Sequence, residues 1–254
     1  MRVLVCVKRV PAVAGLITLT EDERAIDTKY VGFQVGPHEE CAVEEAVRLV
    51  EAHGGEAVVL TLGPAEALEQ LREAMSLGVA RAIHLVTDGG EWDAESTAGA
   101  IVDAIREDEA ASGPFDVVLL GNEAADSGGY QVGVRIARAL GRPAVTGIKG
   151  LSVADGTARA EQEAGSGRNV FEVRLPAVVA VLEGINLPRY PSVPGRLRAK
   201  SKPVASSSPA RPAQRLEMRR LVVPVTEAKQ AQILGRGAEA AQAVVELLSS
   251  VGVL

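Results

Sequence analysis

The chain has 254 residues, of which 24% are charged, and its formal net charge is -6 at pH 7. This acidic balance disfavours general nucleic-acid binding, because that function needs clustered Lys and Arg to neutralise phosphates. Cys6 and Cys41 are the only cysteines, which excludes a four-thiolate zinc or iron–sulfur site built by this chain alone. A hydrophobic content of 47% with only 3% aromatic residues indicates a core of Val, Leu, Ala and Ile, as in an α/β domain.

The amino terminus does not resemble a secretion signal, because Arg2, Lys8 and Arg9 enclose only five uncharged residues. No later apolar run approaches the length of a membrane span. We therefore expect a cytoplasmic protein that does not insert directly into a membrane.

Short apolar runs alternate with segments of helical spacing through the first half of the chain. The runs cover residues 3–7, 57–62, 82–87 and 116–120. The helical segments carry apolar stripes within residues 42–50, 68–75, 98–105 and 132–140. Strands that alternate with helices predict right-handed crossovers and a doubly wound parallel sheet.

Two stretches depart from this alternation. Residues 8–36, with the charged turn TEDER between two apolar segments, indicate an excursion after the first strand, for which a hairpin is one arrangement. Residues 159–162 and 169–182 have an extended pattern and predict a β-hairpin that extends the sheet.

The last quarter of the chain differs in composition. Residues 184–216 hold seven Lys or Arg, no acid and six of the 13 prolines, so we expect an exposed, irregular, basic arm. The linker SSSPARPAQR then leads to an apolar segment at residues 221–225. A helix follows, with the apolar stripe Ala240, Val244, Leu247 and Val251.

The segment GNEAADSGGYQ, residues 121–131, follows the fourth predicted strand and opens a helix. Free backbone N–H groups at a helix N-terminus favour an anion, and Ser127, Gly128 and Gly129 would let the backbone wrap a phosphate. A flexible turn explains the glycines equally well. The position favours a ligand, since open α/β sheets bind ligands at the carboxyl ends of their strands. Residues 36–39 and 62–64 would meet the loop there, which predicts a pocket.

Several enzyme classes are disfavoured by missing motifs. No GxGxxG follows the first strand and no GxxxxGK[ST] occurs, which argues against hydride enzymes and P-loop NTPases. SGGY at Ser127 resembles the SGGxD[ST] loop of ATP pyrophosphatases but lacks the Asp and hydroxyl that follow, which indicates a related fold without that activity. His38, His53 and His84 have no metal-ligand spacing, so we expect neither a metal site nor catalytic residues.

Four acids at the start of the first predicted helix, Glu39, Glu40, Glu44 and Glu45, have a simple interpretation. We expect them to form a solvated helix face, on which those nearest the N-terminus also suit the helix dipole.

Five segments in order, from Arg2 to about Lys202, resemble the beta subunit of electron transfer flavoproteins. They are RVLVCVKRV, GPHEECAVEEAVRL, LGPAEALEQLREAMSLGVARAIHL, DVVLLGNEAADSGGYQVG and RLPAVVAVLEGINLPRYPSVPGRLRAK. The resemblance implies an α/β fold with a Rossmann-like doubly wound parallel sheet of the adenine nucleotide alpha hydrolase type, a β-hairpin extension and a C-terminal arm. It implies a nucleotide-binding core over residues 1–185, a basic Pro-rich recognition loop and linker over 186–216, and a partner-contacting arm and helix over 217–254.

The resemblance also implies two cofactors: a structural AMP on this chain and a redox-active FAD held mainly by an alpha subunit near the subunit interface. The AMP site would comprise Cys6, Gly36, Pro37, His38, Glu39, Leu62, Gly121, Asn122, Glu123, Ala124, Ala125, Asp126, Ser127, Gly128, Gly129, Tyr130, Gln131 and Val132. The chain would be an electron-carrier subunit, active in fatty acid oxidation, and not itself an enzyme.

The basic arm would be the family's recognition loop, which docks on acyl-CoA dehydrogenases and similar flavoenzymes, with electrons passing on to a membrane quinone oxidoreductase. The implied docking residues are Tyr190, Val193, Pro194, Arg196 and Arg198, and Glu163 would pair with an alpha-subunit arginine. Val193 stands where the family often presents a leucine. Lys200 and Lys202, together with Arg196 and Arg198, suit electrostatic steering toward an acidic partner.

Three alternatives remain. Bifurcating members of the family bind a second FAD in place of AMP, but their early loop resembles KQVPDT, whereas this chain has KRVPAV, which favours AMP. A stand-alone ATP-binding regulatory module resembling universal stress proteins shares this type of sheet, although its phosphate loop differs in spacing. An enzyme of the ATP pyrophosphatase type is the third alternative.

Overall fold

The computed structural model describes residues 1–12, 17–213, 215–216, 218–224 and 233–253. The chain divides into two compact units, Met1–Arg220 and Leu221–Leu254. The large unit contains all eleven strands of the described chain and five of its α-helices.

The strands, in chain order, are β1 (Arg2–Cys6), β2 (Arg9–Pro11), β3 (Phe33–Val35), β4 (Glu56–Gly63), β5 (Arg81–Val86), β6 (Val117–Gly121), β7 (Ala144–Ala154), β8 (Thr157–Ala164), β9 (Gly167–Arg174), β10 (Ala177–Val181) and β11 (Val204–Ser207). Nine of them form one sheet in the order β11-β5-β4-β1-β6-β10-β7-β8-β9. Every pair from β11 to β7 is parallel, and β8 and β9 are antiparallel. The predicted doubly wound sheet is confirmed, and the four predicted strands correspond to β1, β4, β5 and β6.

The helices are α1 (Pro37–His53), α2 (Leu68–Ser76), α3 (Ala94–Ser112), α4 (Val132–Leu140), α5 (Val193–Ser201) and α6 (Ala241–Ser250), with short 3₁₀ turns at Ala65–Ala67 and Gly237–Ala240. Residues that favour helix ends lie at several of these boundaries. Pro37 is the first residue of α1, and Gly141 ends α4 in the left-handed conformation at φ 66°. The Asp93 carboxylate caps α3 by accepting from the Ser96 N–H at 2.8 Å.

Two apolar layers lie on opposite faces of the sheet. Val3 and Val5 of β1 point to the face covered by α1 and α2, whereas Leu4 and Cys6 point to the face covered by α3 and α4. This alternation follows from the twofold period of a strand. The two thiols are therefore buried in different layers, because Cys41 belongs to α1. Burial raises the pKa of Cys6 to about 12 and also raises the pKa of Cys41.

The predicted excursion after β1 contains a hairpin. Strands β2 and β3 pair antiparallel, and an isolated bridge joins Leu19 to Ile26 across the charged turn. Residues 13–16, which include part of the first apolar segment, lie outside the described residues.

The predicted sheet extension has a different arrangement from the expected single hairpin. Strands β7, β8 and β9 form a three-stranded meander, with Asp155 and Gly156 at positive φ in the tight turn between β7 and β8. The extended segment at 169–182 is two strands, which separate at the cis Leu175–Pro176 bond. The fully buried β10 lies in the parallel part, whereas β9 is exposed at the sheet edge.

The expectation of an irregular basic arm is wrong for its central part. That part contains helix α5 and strand β11, which pairs in parallel with β5. The Ser192 side chain starts α5 by accepting from the Gly195 N–H at 3.1 Å. The arm therefore returns to the sheet after presenting one short helix.

The second unit, Leu221–Leu254, contains the 3₁₀ turn and α6. The predicted apolar stripe lies on this helix and around its ends, with Val244, Leu247 and Val251 all partly exposed. Val225, the last residue of the predicted apolar segment, is not among the described residues. Over the described ranges, no helix has the length and apolar character needed to cross a membrane.

Candidate nucleotide-binding site

Two of the predicted segments meet where β1 and β6 end. These strands are neighbours, with Cys6 opposite Leu120, so the residues that follow them leave the same edge of the sheet. The start of α1 packs on this edge: a methyl group built on Gly121 would lie 2.9 Å from Cδ and 3.0 Å from the backbone N of Glu39. A methyl group on Gly36 would lie 3.3 Å from Cβ of Ala125. Residues 36–39 and 121–125 are therefore packed together, most tightly where Gly121 meets Glu39.

The loop after β6 is held by backbone and side-chain hydrogen bonds. Asn122 donates its N–H to Val181 at 2.8 Å, and its side-chain oxygen accepts from the Gly147 N–H at 2.7 Å. Further along, the Gly128 N–H donates to Ala124 at 2.8 Å, with Gly128 at φ 61°. The glycine therefore permits a compact turn, and Asn122 fixes the start of the loop to the adjacent strands.

The start of α4 is open. In the described structure no side chain caps this helix, and its N-cap residue, Gln131, instead accepts from the Arg135 side chain. The first N–H groups of a helix have no partner within the helix, and the helix dipole makes this end favourable for an anion. Ser127, Gly129 and Tyr130 lie exposed beside it.

An ion pair closes the loop over the edge. The Lys8 ammonium lies 2.7 Å from both carboxylate oxygens of Asp126, which joins the segment after β1 to the loop after β6. The Lys8 side chain is 45% exposed, so solvent screens the pair and its contribution to stability is small. Its main effect is that the positive charge of Lys8 is already paired with the Asp126 carboxylate of the loop.

The acids of α1 do not form a solvated face. Of the four acids at its start, Glu39, Glu44 and Glu45 are buried and Glu40 is exposed, so that expectation is wrong. Glu44 and Glu45 are buried by tertiary contacts, because the segment before α5 packs on the helix. Arg189 donates to Glu44, and Asn186 donates to Glu45.

Glu39 stands apart within this group. It is 5% exposed, and its Oε2 has no hydrogen-bond partner in the described part of the chain. Burial raises the pKa of Glu39 to about 7, and a hydrogen bond with its own backbone N–H and the charge of Lys8 offset this only in part. The Nδ1 atom of neighbouring His38 is likewise buried and unpartnered among the described residues.

Two more of the predicted residues, Cys6 and Leu62, lie in strands β1 and β4. Cys6 is buried at the end of β1 on the α3 and α4 face, and Leu62 packs against the same apolar cluster. The neighbouring Thr61 hydroxyl donates to the carbonyl of Val7 at 2.8 Å, which ties the ends of β4 and β1 together.

These features fit an adenine mononucleotide. The open start of α4 suits a phosphate, the apolar base suits a ring, and two buried polar atoms lack partners. A groove of about 590 Å³ lies elsewhere, between α3 and residues 207–213. Its lining includes the acids Asp93, Glu95, Asp103 and Glu107, and Arg215 lies 3.7 Å from Glu95, so this groove suits an anionic nucleotide less well. Within the described ranges, no group of three His, Cys, Asp or Glu residues could hold a metal ion.

The predicted docking residues lie on and before α5. Tyr190 is 96% exposed and Val193 is 73% exposed, and Arg196 and Arg198 also face solvent. Pro194 lies in the first turn of the helix. The sequence reasoning missed Leu187 and Leu197, which are 84% and 61% exposed and enlarge the apolar surface. Large exposed apolar residues in a group indicate an interaction surface.

A reciprocal clamp holds α5 on α2. Arg72 of α2 donates to the carbonyls of Ala199 and Lys202, at 2.6 and 2.7 Å. In return, the Lys202 ammonium donates to the carbonyls of Met75 and Val79, at 2.8 and 2.6 Å. Arg72 thus binds carbonyls at the C-terminal end of α5, and Lys202 binds that of Met75 in the last turn of α2 and that of Val79 beyond it. Lys202 therefore has a structural role, and its predicted contribution to electrostatic steering stays a prediction.

Glu163 lies on the meander. Its carboxylate forms a 3.0 Å ion pair with Lys149 and is 61% exposed. The neighbouring Glu161 pairs with both Arg159 and Arg168. Glu163 therefore remains accessible to a partner, although it already has a cation beside it.

The fold is that of the doubly wound α/β proteins, and comparison with known proteins narrows the class. The electron transfer flavoprotein domain matches residues 24–212 of this chain. The electron transfer flavoprotein subunit beta of Syntrophomonas wolfei is 35% identical over 229 residues, 90% of this chain and 88% of that protein. The Bacillus subtilis subunit beta is 36% identical over 172 residues, 67% and 65% of the two chains, and the mitochondrial one of Arabidopsis thaliana is 31% identical over 207 residues, 80% of each. The chain belongs to the electron transfer flavoprotein beta subunit family.

Proposed function

We propose that this chain is the beta subunit of a heterodimeric electron transfer flavoprotein and acts as a cytoplasmic electron-carrier subunit without catalytic residues of its own. It binds AMP at the carboxyl edge of the sheet, shapes the FAD site of an alpha subunit, and docks flavoenzymes of the acyl-CoA dehydrogenase type. The main support is the convergence of the α1 start, the β6 loop and the uncapped start of α4, in a chain of this family.

Different parts of the carboxyl edge of the sheet would bind different parts of AMP. Backbone N–H groups at the start of α4 and at Gly129 hold the phosphate, while Cys6 and Leu62 line the base of the site. AMP bound only to the folded state would raise the stability of that state by mass action. The nucleotide is therefore proposed as a structural ligand.

This chain contributes to electron transfer by positioning the FAD and the alpha subunit. FAD, carried mainly by the alpha subunit, supplies the redox chemistry, and this chain provides one wall of its site. Glu163, accessible beside Lys149, would pair with an arginine of the alpha subunit and hold one orientation of the flavin domain.

The surface on and before α5 is the proposed docking site. Tyr190 and Val193 offer an apolar centre, and Arg196 and Arg198 surround it with positive charge. Such a surface complements an apolar pocket with an acidic rim. Because Arg72 and Lys202 fix α5 in place, little conformational entropy is lost on docking.

We assign a separate role to each of three parts of the chain. We propose a nucleotide-binding core over residues 1–185, a recognition segment and linker over 186–216, and a partner-contacting arm over 217–254. Electrons accepted from the dehydrogenase would pass through the heterodimer to a quinone oxidoreductase of the membrane.

Ligand stoichiometry tests this proposal directly. The chain is purified with its co-expressed alpha subunit, the complex is denatured, and the released ligands are measured by absorbance and mass spectrometry. One FAD and one AMP per heterodimer is the expected result, whereas two FAD would indicate a bifurcating carrier. ATP bound to a homodimer of this chain would overturn the proposal in favour of a module of the universal stress protein type.

A further inference from the structure

Residues 186–192, which precede α5, carry two highly exposed large side chains of the proposed docking surface. Leu187 is 84% exposed and Tyr190 is 96% exposed. The segment forms neither helix nor strand, and neither of these side chains is buried against the core. Their position therefore depends on the contacts that other residues of the segment make.

Arg189 attaches this segment to α1. Its backbone N–H donates to Glu44 at 3.1 Å, and its guanidinium donates to Glu44 through Nε at 2.9 Å and Nη2 at 3.1 Å. The same guanidinium donates to Glu51 through Nη1 at 2.6 Å and Nη2 at 2.9 Å. Because Glu44 and Glu51 lie about two turns apart on one face of α1, a single arginine binds both in bidentate pairs. Five hydrogen bonds from one residue therefore fix the middle of the segment.

Other contacts hold the two ends of the segment. The Asn186 amide donates to the carbonyl of Cys41 at 3.0 Å and to the carboxylate of Glu45 at 2.9 Å, both on α1. At the other end, the Ser192 hydroxyl caps α5. Between these ends, the side-chain hydrogen bonds that the described structure shows to α1 all come from Arg189. Without that residue, both exposed side chains would lie on a stretch attached only at its ends.

The positive charge of Arg189 is balanced on this chain. Burial alone would raise the pKa of Glu44, but hydrogen bonds from Arg189 and Arg48 lower it. The hydrogen bond from Arg189 also lowers the pKa of Glu51. Both carboxylates are therefore ionised at neutral pH, and they form a group of two anions and two cations with Arg48 and Arg189. Arg196, in contrast, faces solvent on α5. We therefore expect Arg189 to act on docking through conformation and Arg196 through charge.

We propose that Arg189 is a positioning residue for docking, which holds Leu187 and Tyr190 in the arrangement that a partner flavoenzyme contacts. The inference rests on the proposed docking function and adds the residue that orders this surface in advance. A surface that is already ordered loses less conformational entropy when it binds. Arg189 acts through these two side chains and does not itself contact the partner.

The test is steady-state reduction of the heterodimer by an acyl-CoA dehydrogenase of the same cell that reduces the wild type, with the heterodimer concentration varied. Arg189→Ala should raise the KM for the heterodimer roughly 5- to 100-fold, the range expected when two side chains must be ordered on binding. The kcat should not change, because the docked surface adopts the same arrangement in both proteins. Hydrogen exchange over residues 186–192 of the free heterodimer should accelerate.

Three further variants separate positioning from other effects. Arg48→Ala removes the other cation that donates to Glu44, at 2.8 Å, but leaves the segment attached, so its KM should match that of the wild type. Arg189→Lys keeps the charge but cannot bind two carboxylates through paired donors, so its KM should lie between those of the wild type and Arg189→Ala. Glu51→Ala removes one half of the attachment at a side chain that is 57% exposed, and it should raise KM less than Arg189→Ala does. If Arg189→Ala does not assemble, Glu51→Ala provides the decisive measurement.

Ionic strength distinguishes positioning from electrostatic steering. The KM of Arg189→Ala should depend on salt as steeply as that of the wild type, whereas Arg196→Ala should show a weaker salt dependence. A weaker salt dependence in Arg189→Ala would overturn the inference, because it would mean that the charge of Arg189 acts on the partner directly.

Two other results would overturn the inference and leave the docking proposal intact. One is a wild-type KM in Arg189→Ala, or in Glu51→Ala where Arg189→Ala does not assemble. The other is a rise in KM for Arg48→Ala equal to that for Arg189→Ala. A wild-type heterodimer that no acyl-CoA dehydrogenase of the cell reduces would remove the docking proposal as well.

Discussion

Glu39→Gln should stabilise the nucleotide-free protein, and the effect should grow with pH. Its pKa rises from an ordinary 4.5 to about 7 because the residue is buried. A tenfold change in an acid dissociation constant corresponds to about 1.4 kcal/mol, so ionised Glu39 destabilises the folded state by about 3 kcal/mol. The glutamine has the same shape without this penalty.

The sign follows from proton linkage. Below pH 4.5 Glu39 is protonated in both folded and unfolded chains, and it costs the folded state nothing. Above this pH the unfolded chain ionises while the folded chain resists, so wild-type stability falls until pH exceeds about 7. The advantage of Glu39→Gln should therefore be near zero at pH 4.5 and reach about 3 kcal/mol at pH 8.

Thermal unfolding of the nucleotide-free heterodimer from pH 4.5 to 8.5, at one fixed protein concentration, measures this difference. Glu107→Gln serves as the control for removing one negative charge at an exposed position. A constant difference between wild type and Glu39→Gln across the pH range would refute the reasoning, because it would mean that Glu39 does not titrate as a buried acid. A variant that loses stability at pH 8 would show that the carboxylate has a partner.

Four further outcomes are expected. Arg72→Ala removes the two hydrogen bonds that its Nη1 donates to the end of α5 and should cost about 2 kcal/mol. Hydrogen exchange of the helix should accelerate, and unchanged exchange would contradict the clamp. Gly121→Ala places a methyl group 2.9 Å from the Glu39 side chain and should cost about 1–3 kcal/mol by overpacking; retained nucleotide and an unchanged unfolding temperature would count against the packing described. Val193→Leu adds one methylene, worth about 0.8 kcal/mol or roughly fourfold in dehydrogenase affinity, which concentration-dependent reduction kinetics would detect, with Val193→Ala moving the other way. Glu163→Ala should change the electron-transfer rate while size-exclusion chromatography shows the same heterodimer, and an unaltered rate would exclude its proposed role.

The sequence predicts the parallel centre of the fold because strands that are buried on both faces consist mainly of apolar residues. Strands β1, β4, β5 and β6 are mostly apolar, and the glycine-rich loop after β6 marks a strand-to-helix turn. The positions of Gly36 and Gly121 at one edge then follow from the topology.

Helix α5 and strand β11 could not be predicted in the same way. Nine residues of α5 include Pro194, Gly195 and four cationic residues or serine, and only two of the nine are buried. The helix persists because Arg72 reaches its last carbonyls, a contact between residues more than a hundred positions apart. Strand β11 likewise has a serine-rich sequence, and its conformation comes from pairing with β5.

The local sequence pattern also does not predict that Glu39 is buried. Four acids on one helix normally indicate solvent exposure, and the pattern does not reveal that Arg189 and Asn186 come from elsewhere to cover them. The strand pattern places residues 36–39 at the predicted pocket, but it does not show that Glu39 is buried there. Its missing partner became visible once Gly36 and Gly121 were placed against it.

The two native thiols lie in separate apolar layers of the sheet, which makes the chain convenient for site-directed labelling. Cys6 is 6% exposed and Cys41 is 2% exposed, and burial raises the pKa of both, so neither presents a thiolate to a maleimide in the native state. Tyr190→Cys would place a single reactive thiol on the docking surface without prior removal of native cysteines. A fluorophore or spin label attached there would report the approach of a redox partner on an otherwise unmodified subunit.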